Sequence, residues 1–343
     1  MRRSALSLAL ALALAASLLA MLPSAHAQAP GRSVDFQAHE ARTLLLRIHE
    51  AANRQNFLGT LVIRADGAMS SARVAHFCQG SNQFERSESL DGPPRHTYRH
   101  NDVVATSWPT TKTATVEQRG RFAQFPALSQ TGADRITESY HVRLQGAERI
   151  AGRRADVLTV EPRDALRYGY RLWADRVSGL LLRADVIGEH GEVLESSAFS
   201  DVAIGVKPQP QSVLRPIRRL HGYRIVRPSL TPTRLEAEGW AMRQSISGFQ
   251  QVSCVKRPFE DFADNQATPK NPVLQTIFSD GLTYVSLFVE PFDPQRHTRA
   301  MHASAGATQT LMDRQGDWWV TLIGDVPPAT LSTFLKNLMR NPR

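Results

Sequence analysis

The sequence predicts a mainly β protein with α elements, in which a curved antiparallel sheet closes on one long helix and a smaller α/β domain follows. One amphipathic stretch near the N terminus precedes about eleven short β-branched or aromatic segments, each cut off by turn signals. A Pro- and Arg-rich interval then separates these from a second, shorter set of strand-like segments that ends in another amphipathic helix. With a little over 300 residues beyond the leader, roughly two ordinary domains can each bury a core.

The chain opens with Arg2 and Arg3, an apolar run from Ala5 to Leu22, then Pro23 and Ala25-His26-Ala27. This is the layout of a cleavable secretory signal covering residues 1–27, so the mature chain is expected to start at Gln28 and to work outside the cytoplasm. No Cys follows the apolar run, so lipid attachment there is not expected. No later stretch approaches the length of a spanning helix.

Asp35 to Asn56 places Phe36, Leu44, Leu45, Ile48 and Ala52 near helical spacing, with Asp35 as its N-cap. Strands are expected at Leu58 to Arg64, Arg73 to Phe77, Phe84 to Leu90, His96 to Arg99, Val103 to Trp108 and Lys112 to Gln118. Asp66-Gly67, Gly80-Ser81-Asn82, Asp91-Gly92-Pro93-Pro94 and Asn101-Asp102 stand at hairpin spacing between them, which makes neighbours antiparallel. Gly120 to Thr137 has no clear period and reads as an irregular segment, a candidate flap. Further strands follow at Tyr140 to Leu144, Ala155 to Glu161, Tyr168 to Ala174, Leu180 to Ile187 and Glu192 to Ala203.

The resulting division is a β domain over 28–205, a Pro/Arg-rich linker over 206–234 and an α/β domain over 235–343. In the last of these, strands are expected at Trp240 to Ile246, Val252 to Val255, Leu274 to Phe278, Leu282 to Val289, Ser304 to Leu311 and Trp318 to Ile323. Glu260 to Asn271 reads as a loop. A final helix, Pro328 to Met339, buries Leu331, Phe334, Leu335 and Leu338.

The formal net charge is +9, and loss of Arg2 and Arg3 with the leader lowers it to +7. Only five of the basic residues are Lys, so the excess is arginine, whose planar fork suits carboxylates and phosphates. Outside the cytoplasm, nucleic acid is a poor partner; anionic lipid head groups, polyanions or an acidic protein segment fit better.

Catalytic signatures are absent from the sequence. There is no G-x-S-x-G, phosphate-cradling Gly loop or H-E-x-x-H, and Ser253-Cys254-Val255-Lys256 is an S-x-x-K without its usual companions. His39 and His49 would lie about 15 Å apart along a helix, His96 and His100 lack a third ligand, and His297 and His302 sit in an unperiodic stretch. Neither a metal nor a cofactor is expected. Cys78 and Cys254 are too few for a disulfide framework, and whether they pair is left open. Trp108, Phe122, Phe125 and Trp173 are candidate walls of an apolar interior able to hold a lipid tail, with plain core packing the competing reading.

Three regions resemble the RseB/MucB family of periplasmic regulators of the envelope-stress sigma factor. They are Phe84 to Arg99 with its Leu90-Asp91-Gly92-Pro93-Pro94-Arg95 element; Tyr168 to Asp175 running through Gly179 to Asp185 and on to Gly191-Glu192-Val193-Leu194-Glu195; and Ser279-Asp280-Gly281-Leu282 with Thr321 to Pro328. The resemblance spans roughly Leu44 to Leu338. His96 departs from the carboxylate expected after the Gly-Pro-x-Arg element, and Gly120 to Thr137 matches only loosely.

The resemblance implies a LolA/LolB-like half-open antiparallel barrel with a helical plug, joined to the smaller α/β domain. It also implies a protein without enzymatic activity that binds the periplasmic part of a membrane-spanning anti-sigma factor (RseA/MucA-like). Binding would shield that factor from proteolysis, repress the sigma-E response, and be released by lipopolysaccharide or a related lipid. Arg215, Arg218, Arg219 and Arg224 are the candidate partner-binding residues, through charge-assisted contacts with an acidic segment. A periplasmic lipid or lipoprotein carrier is the alternative function. Homo-oligomerisation is left open.

Overall fold

The computed structural model describes residues 34–118, 132–259 and 270–341. The expected signal segment, Phe122, Phe125 and most of the expected loop at 260–271 lie outside the described residues.

Helix α1 (Val34–Arg54) leads into β1 (Phe57–Ala65), β2 (Ala68–Gln79), β3 (Asn82–Ser89), β4 (His96–His100), β5 (Val103–Trp108) and β6 (Thr113–Gln118). Then come α2 (Gly132–Ser139), β7 (Tyr140–Ile150), β8 (Arg153–Pro162), β9 (Gly169–Asp175), β10 (Leu181–Ile187) and β11 (Val193–Ile204). The interval expected as a linker holds α3 (Gln211–Arg218), β12 (Arg224–Val226) and β13 (Thr231–Pro232). The remainder is β14 (Trp240–Met242), β15 (Gln250–Phe259), β16 (Lys270–Ser279), β17 (Tyr284–Pro291), β18 (Met301–Ala305), β19 (Thr308–Gln315), β20 (Trp318–Gly324), α4 (Pro328–Asn337) and β21 (Leu338–Arg340).

Twelve strands form one open sheet in the order β12-β6-β5-β4-β3-β2-β1-β11-β10-β9-β8-β7. Two antiparallel meanders meet where β1 pairs with β11, Leu58 opposite Ala203. Among the described residues, the one parallel pair in this sheet joins β12 to β6, Arg224 opposite Thr113. Seven strands make the second sheet, β13-β15-β16-β17-β20-β19-β18, and β14 pairs with β21.

The helical stripe read from α1 is its buried side. Leu44, Leu45 and Ile48 pack on Leu158 and Val160 of β8, Tyr170, Leu172 and Ala174 of β9, and Ala184 of β10. Each such side chain contributes about 1.5–3 kcal/mol on full burial. Alternation along β2 then puts a second helix on the other face: Ala75 and Phe77 pack with Val213 of α3, whereas the intervening His76 bonds the carbonyl of Gln55 just past α1 (2.7 Å). In the seven-stranded sheet, Leu331 and Phe334 of α4 are fully buried among Phe249, Phe278, Val320 and Leu322.

Several expectations are corrected. α1 starts at Val34, so Asp35 lies inside its first turn rather than capping it. Gly132 to Thr137, expected as irregular, is helical; its one strong apolar residue, Ile136, is fully buried in the cluster that holds Leu45 and Ile48, and a single anchor leaves no period to read. Ser304 to Leu311 is two strands, because Gly306 takes φ +60° and reverses the chain. The strand begun by Trp240 ends at Met242, although Ile246 stays buried. The last helix stops at Asn337, and Leu338 to Arg340 pairs with β14.

Candidate functional site

Two features stand out: a cationic strap between the sheets, and the junction at which the sheets grip each other.

From Val206 to Leu235 the chain carries seven Lys or Arg and no Asp or Glu. Arg215, Arg218, Arg219 and Arg224 are all exposed, as is Arg227. Helix α3 explains the first of these. Val213, Leu214 and Ile217 face Ala75, Phe77, Phe84 and Tyr98, which leaves Arg215 and Arg218 on the outer side. Both also lie in the last turn, where the helix dipole favours positive charge. The Arg224 amide donates to the Lys112 carbonyl (2.8 Å), so exposed Lys112 joins the same surface. The structure therefore gathers the four sequence-predicted arginines on one ordered, solvent-facing strap, whose field attracts anionic groups.

The apolar candidates are not gathered in this way. Trp173 is buried in β9 with Ala155, Val157, Leu180, Leu182 and Phe199. Its Nε1 donates to Glu148 (2.9 Å) and the Arg183 guanidinium lies 4.5 Å from its ring centroid. Trp108 is half-buried at the end of β5, opposite Thr113.

At the junction, Arg167 sits fully buried in the β8–β9 connection. Its Nε donates to Asp280 Oδ2 (2.8 Å), and its remaining nitrogens donate to Asp164 and to the Ser247 carbonyl. Asp280, also fully buried, accepts Tyr140 O–H (2.8 Å) and the amides of Leu282 (2.9 Å) and Thr283 (2.8 Å). Burial, followed by Asp280, pushes the Tyr140 phenol well above its ordinary value. Burial works against the Arg167 charge, but Asp164 and Asp280 outweigh it and hold the guanidinium protonated. The backbone of Gly248, at φ +76°, passes so close that a Cβ would stand 2.2 Å from Arg167 Nη2.

A second grip lies at the β18–β19 turn. Asp66, in the β1–β2 hairpin, accepts the Gly306 amide, and Glu195 of β11 accepts the Ala307 amide. Asp325 stands close by, accepting Thr308 O–H (2.6 Å). Burial, then Asp325 and Asp66, raise the Glu195 carboxyl above its ordinary value. Sequence reasoning passed over all of these residues except as members of a motif. Asp280-Gly281 is a recognisable turn signal, but its far partner, Arg167, has no local mark.

Several of the candidate histidines have structural partners. His100 stacks on Phe84 (4.8 Å) and His297 on Trp319 (4.8 Å). Cys78 and Cys254 are not joined in a disulfide; Cys78 Sγ donates to the Asn53 carbonyl (2.8 Å), and burial pushes up the Cys254 thiol. Lys256 of the S-x-x-K pairs with Glu238 (2.6 Å). Among the described residues, no group of three or more His, Cys, Asp or Glu is placed to hold a metal ion. No helix among them is long and apolar enough to cross a membrane.

Comparison with known proteins gives two family matches: the MucB/RseB N-terminal domain over residues 40–217 and the MucB/RseB C-terminal domain over 234–339. The chain is 28% identical over 299 residues to the sigma factor AlgU regulatory protein MucB of Pseudomonas aeruginosa, covering 86% of this chain and 89% of that one. It is 25% identical over 314 residues to the sigma-E factor regulatory protein RseB of Escherichia coli K12, covering 89% and 94%. Among solved structures, the complex of Pseudomonas aeruginosa MucA/MucB matches with TM-score 0.66 at 25% identity, over 89% of this chain and 100% of that one. MucB in complex with MucA(peri) matches with TM-score 0.65 at 25% identity, over 88% and 100%.

Proposed function

Because the chain belongs to the MucB/RseB family, we propose that it is a regulatory binding protein for the periplasmic part of a membrane-anchored anti-sigma factor. In this reading it is exported, works in the periplasm, shields its partner from proteolysis and so represses the sigma-E envelope-stress response, with a lipid such as lipopolysaccharide prompting release. The observation that carries it is the similarity, over most of both chains, to a MucB solved together with MucA(peri).

The finer assignments follow from the same reading. The twelve-stranded sheet serves as a half-open barrel with α1 as its plug, residues 28–205 and 235–343 are the two domains, and 206–234 joins them. Arg215, Arg218, Arg219 and Arg224 receive an acidic segment of the partner. Exposed arginines on an ordered strap support this role, since they require no rearrangement to meet carboxylates, and Arg makes bidentate pairs with them. Trp108, Phe122, Phe125 and Trp173 are the corresponding proposal for the lipid. The role is one of binding rather than catalysis, as in the regulatory relatives.

The test is a pull-down with the immobilised periplasmic fragment of the organism's own anti-sigma factor, followed by protease challenge with and without lipopolysaccharide. Specific binding that slows cleavage, relieved by the lipid, is the expected result. Folded protein that neither binds nor protects would reject the proposal.

A further inference from the structure

The two grips between the sheets differ in chemistry. Arg167 and Asp280 neutralise each other, and Asp280 is further satisfied by Tyr140 and two backbone amides. At the β18–β19 turn the backbone amides are instead taken by carboxylates. Consecutive amides, Gly306 and Ala307, are taken by Asp66 and Glu195. The fit is close: Glu195 Oε2 lies 3.2 Å from where a Gly306 Cβ would stand. The titratable groups facing Glu195 are the carboxylates of Asp66 from the β1–β2 hairpin and Asp325 from the end of β20, with the Tyr170 phenol of β9 nearby. Three carboxylates thus converge on one turn whose Gly306 and Ala307 are buried, and among the described residues those that act on Glu195 include no cation.

We propose that this turn is a protonation-sensitive clasp, in which Glu195 takes a proton from solvent as the pH falls and the grip of the twelve-stranded sheet on the β18–β19 turn tightens. The proton removes one of three like charges, and the other carboxyl oxygen still accepts the Ala307 amide. Burial and the two neighbouring carboxylates raise the Glu195 value above the ordinary one, which fixes the sign. Proton binding favours the clasped state, so the stabilisation is complete below the ordinary glutamate range and is lost as pH rises through the raised folded value. The Arg167–Asp280 grip lies outside this carboxylate cluster. Near neutrality the sheets are therefore held firmly at one point and loosely at the other, and mild acid fastens the second. This inference stands apart from the identity of the partner.

Hydrogen exchange on the full chain tests it, read for the segment carrying the Gly306 and Ala307 amides and corrected for the intrinsic pH dependence of exchange. In the wild type, protection of this segment should rise by roughly threefold or more between pH 7.5 and 5.0, a modest fraction of the tenfold that one pKa unit allows. In Glu195→Gln, protection at pH 7.5 should already match the acidic wild-type value and change little with pH. Asp325→Asn, which keeps an acceptor for Thr308, is the second variant and should raise protection at pH 7.5 while reducing the pH response. A wild-type segment with flat protection, or a Glu195→Gln segment less protected than wild type at pH 7.5 while Asp325→Asn leaves the pH response intact, would overturn the clasp.

Discussion

Replacing Asp280 by Ala should destabilise the protein by about 3–5 kcal/mol, the cost typical of removing one member of a buried ion pair. The perturbation strips four donors of one acceptor: Arg167 Nε, Tyr140 O–H and the amides of Leu282 and Thr283. With Arg167 and Asp280 both fully buried, water cannot replace the carboxylate without opening the junction. A stranded neutral donor costs about 1–3 kcal/mol and the charged guanidinium more, but these terms overlap, because Arg167 retains Asp164 and the Ser247 carbonyl. The buried pair need not itself be stabilising, since two apolar groups of matching shape often do as well. Accordingly, Arg167→Met combined with Asp280→Leu should lose less than Asp280→Ala alone. Urea unfolding followed by tryptophan fluorescence provides the measurement, with Trp173 buried in the twelve-stranded sheet and Trp319 in the seven-stranded one reporting on both. A loss of under about 1 kcal/mol for Asp280→Ala would refute the reasoning, as would a double variant worse than the single by the full value of a second stranded charge.

Further outcomes follow from other contacts. Gly248→Ala should cost about 1–3 kcal/mol or more, since φ +76° is disfavoured for Ala and its Cβ would meet the immobilised Arg167 side chain; comparable melting temperatures would contradict this. Val213→Ala should cost roughly 1–3 kcal/mol and raise the rate of tryptic cleavage within the strap, because Val213 is the fully buried anchor of α3. Asp175 is driven below its ordinary value despite its burial, because Arg153 and the amide and hydroxyl of Ser178 favour its charge. Its contribution is thus present above the ordinary carboxylate range and lost as pH falls through the lowered folded value, and Asp175→Asn should flatten that acidic limb of a stability–pH profile. Charge reversal of Arg215, Arg218, Arg219 and Arg224 to Glu should weaken binding of the anti-sigma fragment by tenfold or more, roughly 1.4 kcal/mol, and remove most of its salt dependence; unchanged affinity would release these residues from the role.

The strands were legible because alternation and turn residues agreed. Val103 to Trp108 was delimited to the residue, with Asn101-Asp102 before it and Pro109 after it. The stripe of α1 was equally plain, since Leu44, Leu45 and Ile48 recur at helical spacing and are the residues that the sheet buries. What escaped the sequence depends on distant partners. The prolines of 206–234 suggested a passive linker, yet Val213 and Ile217 give α3 a face to dock, and three residues suffice for β12 to extend a sheet edge already built. In the window from Ser304 to Leu311 the lone Gly306 does not by itself mark a reversal, which in the fold is held by Asp66 and Glu195, more than one hundred residues away. Arg167 looks in sequence like any of the other arginines, and its buried partner is Asp280 in the β16–β17 turn.

The most direct measurement is a titration of the purified protein against the periplasmic fragment of the organism's own anti-sigma factor by calorimetry at low and physiological salt. Saturable binding that weakens as salt rises, in a sample shown to be folded, is the predicted result. A folded sample that gives no heat of binding and leaves the fragment's proteolysis unchanged would contradict the assignment of this chain as an anti-sigma-binding regulator.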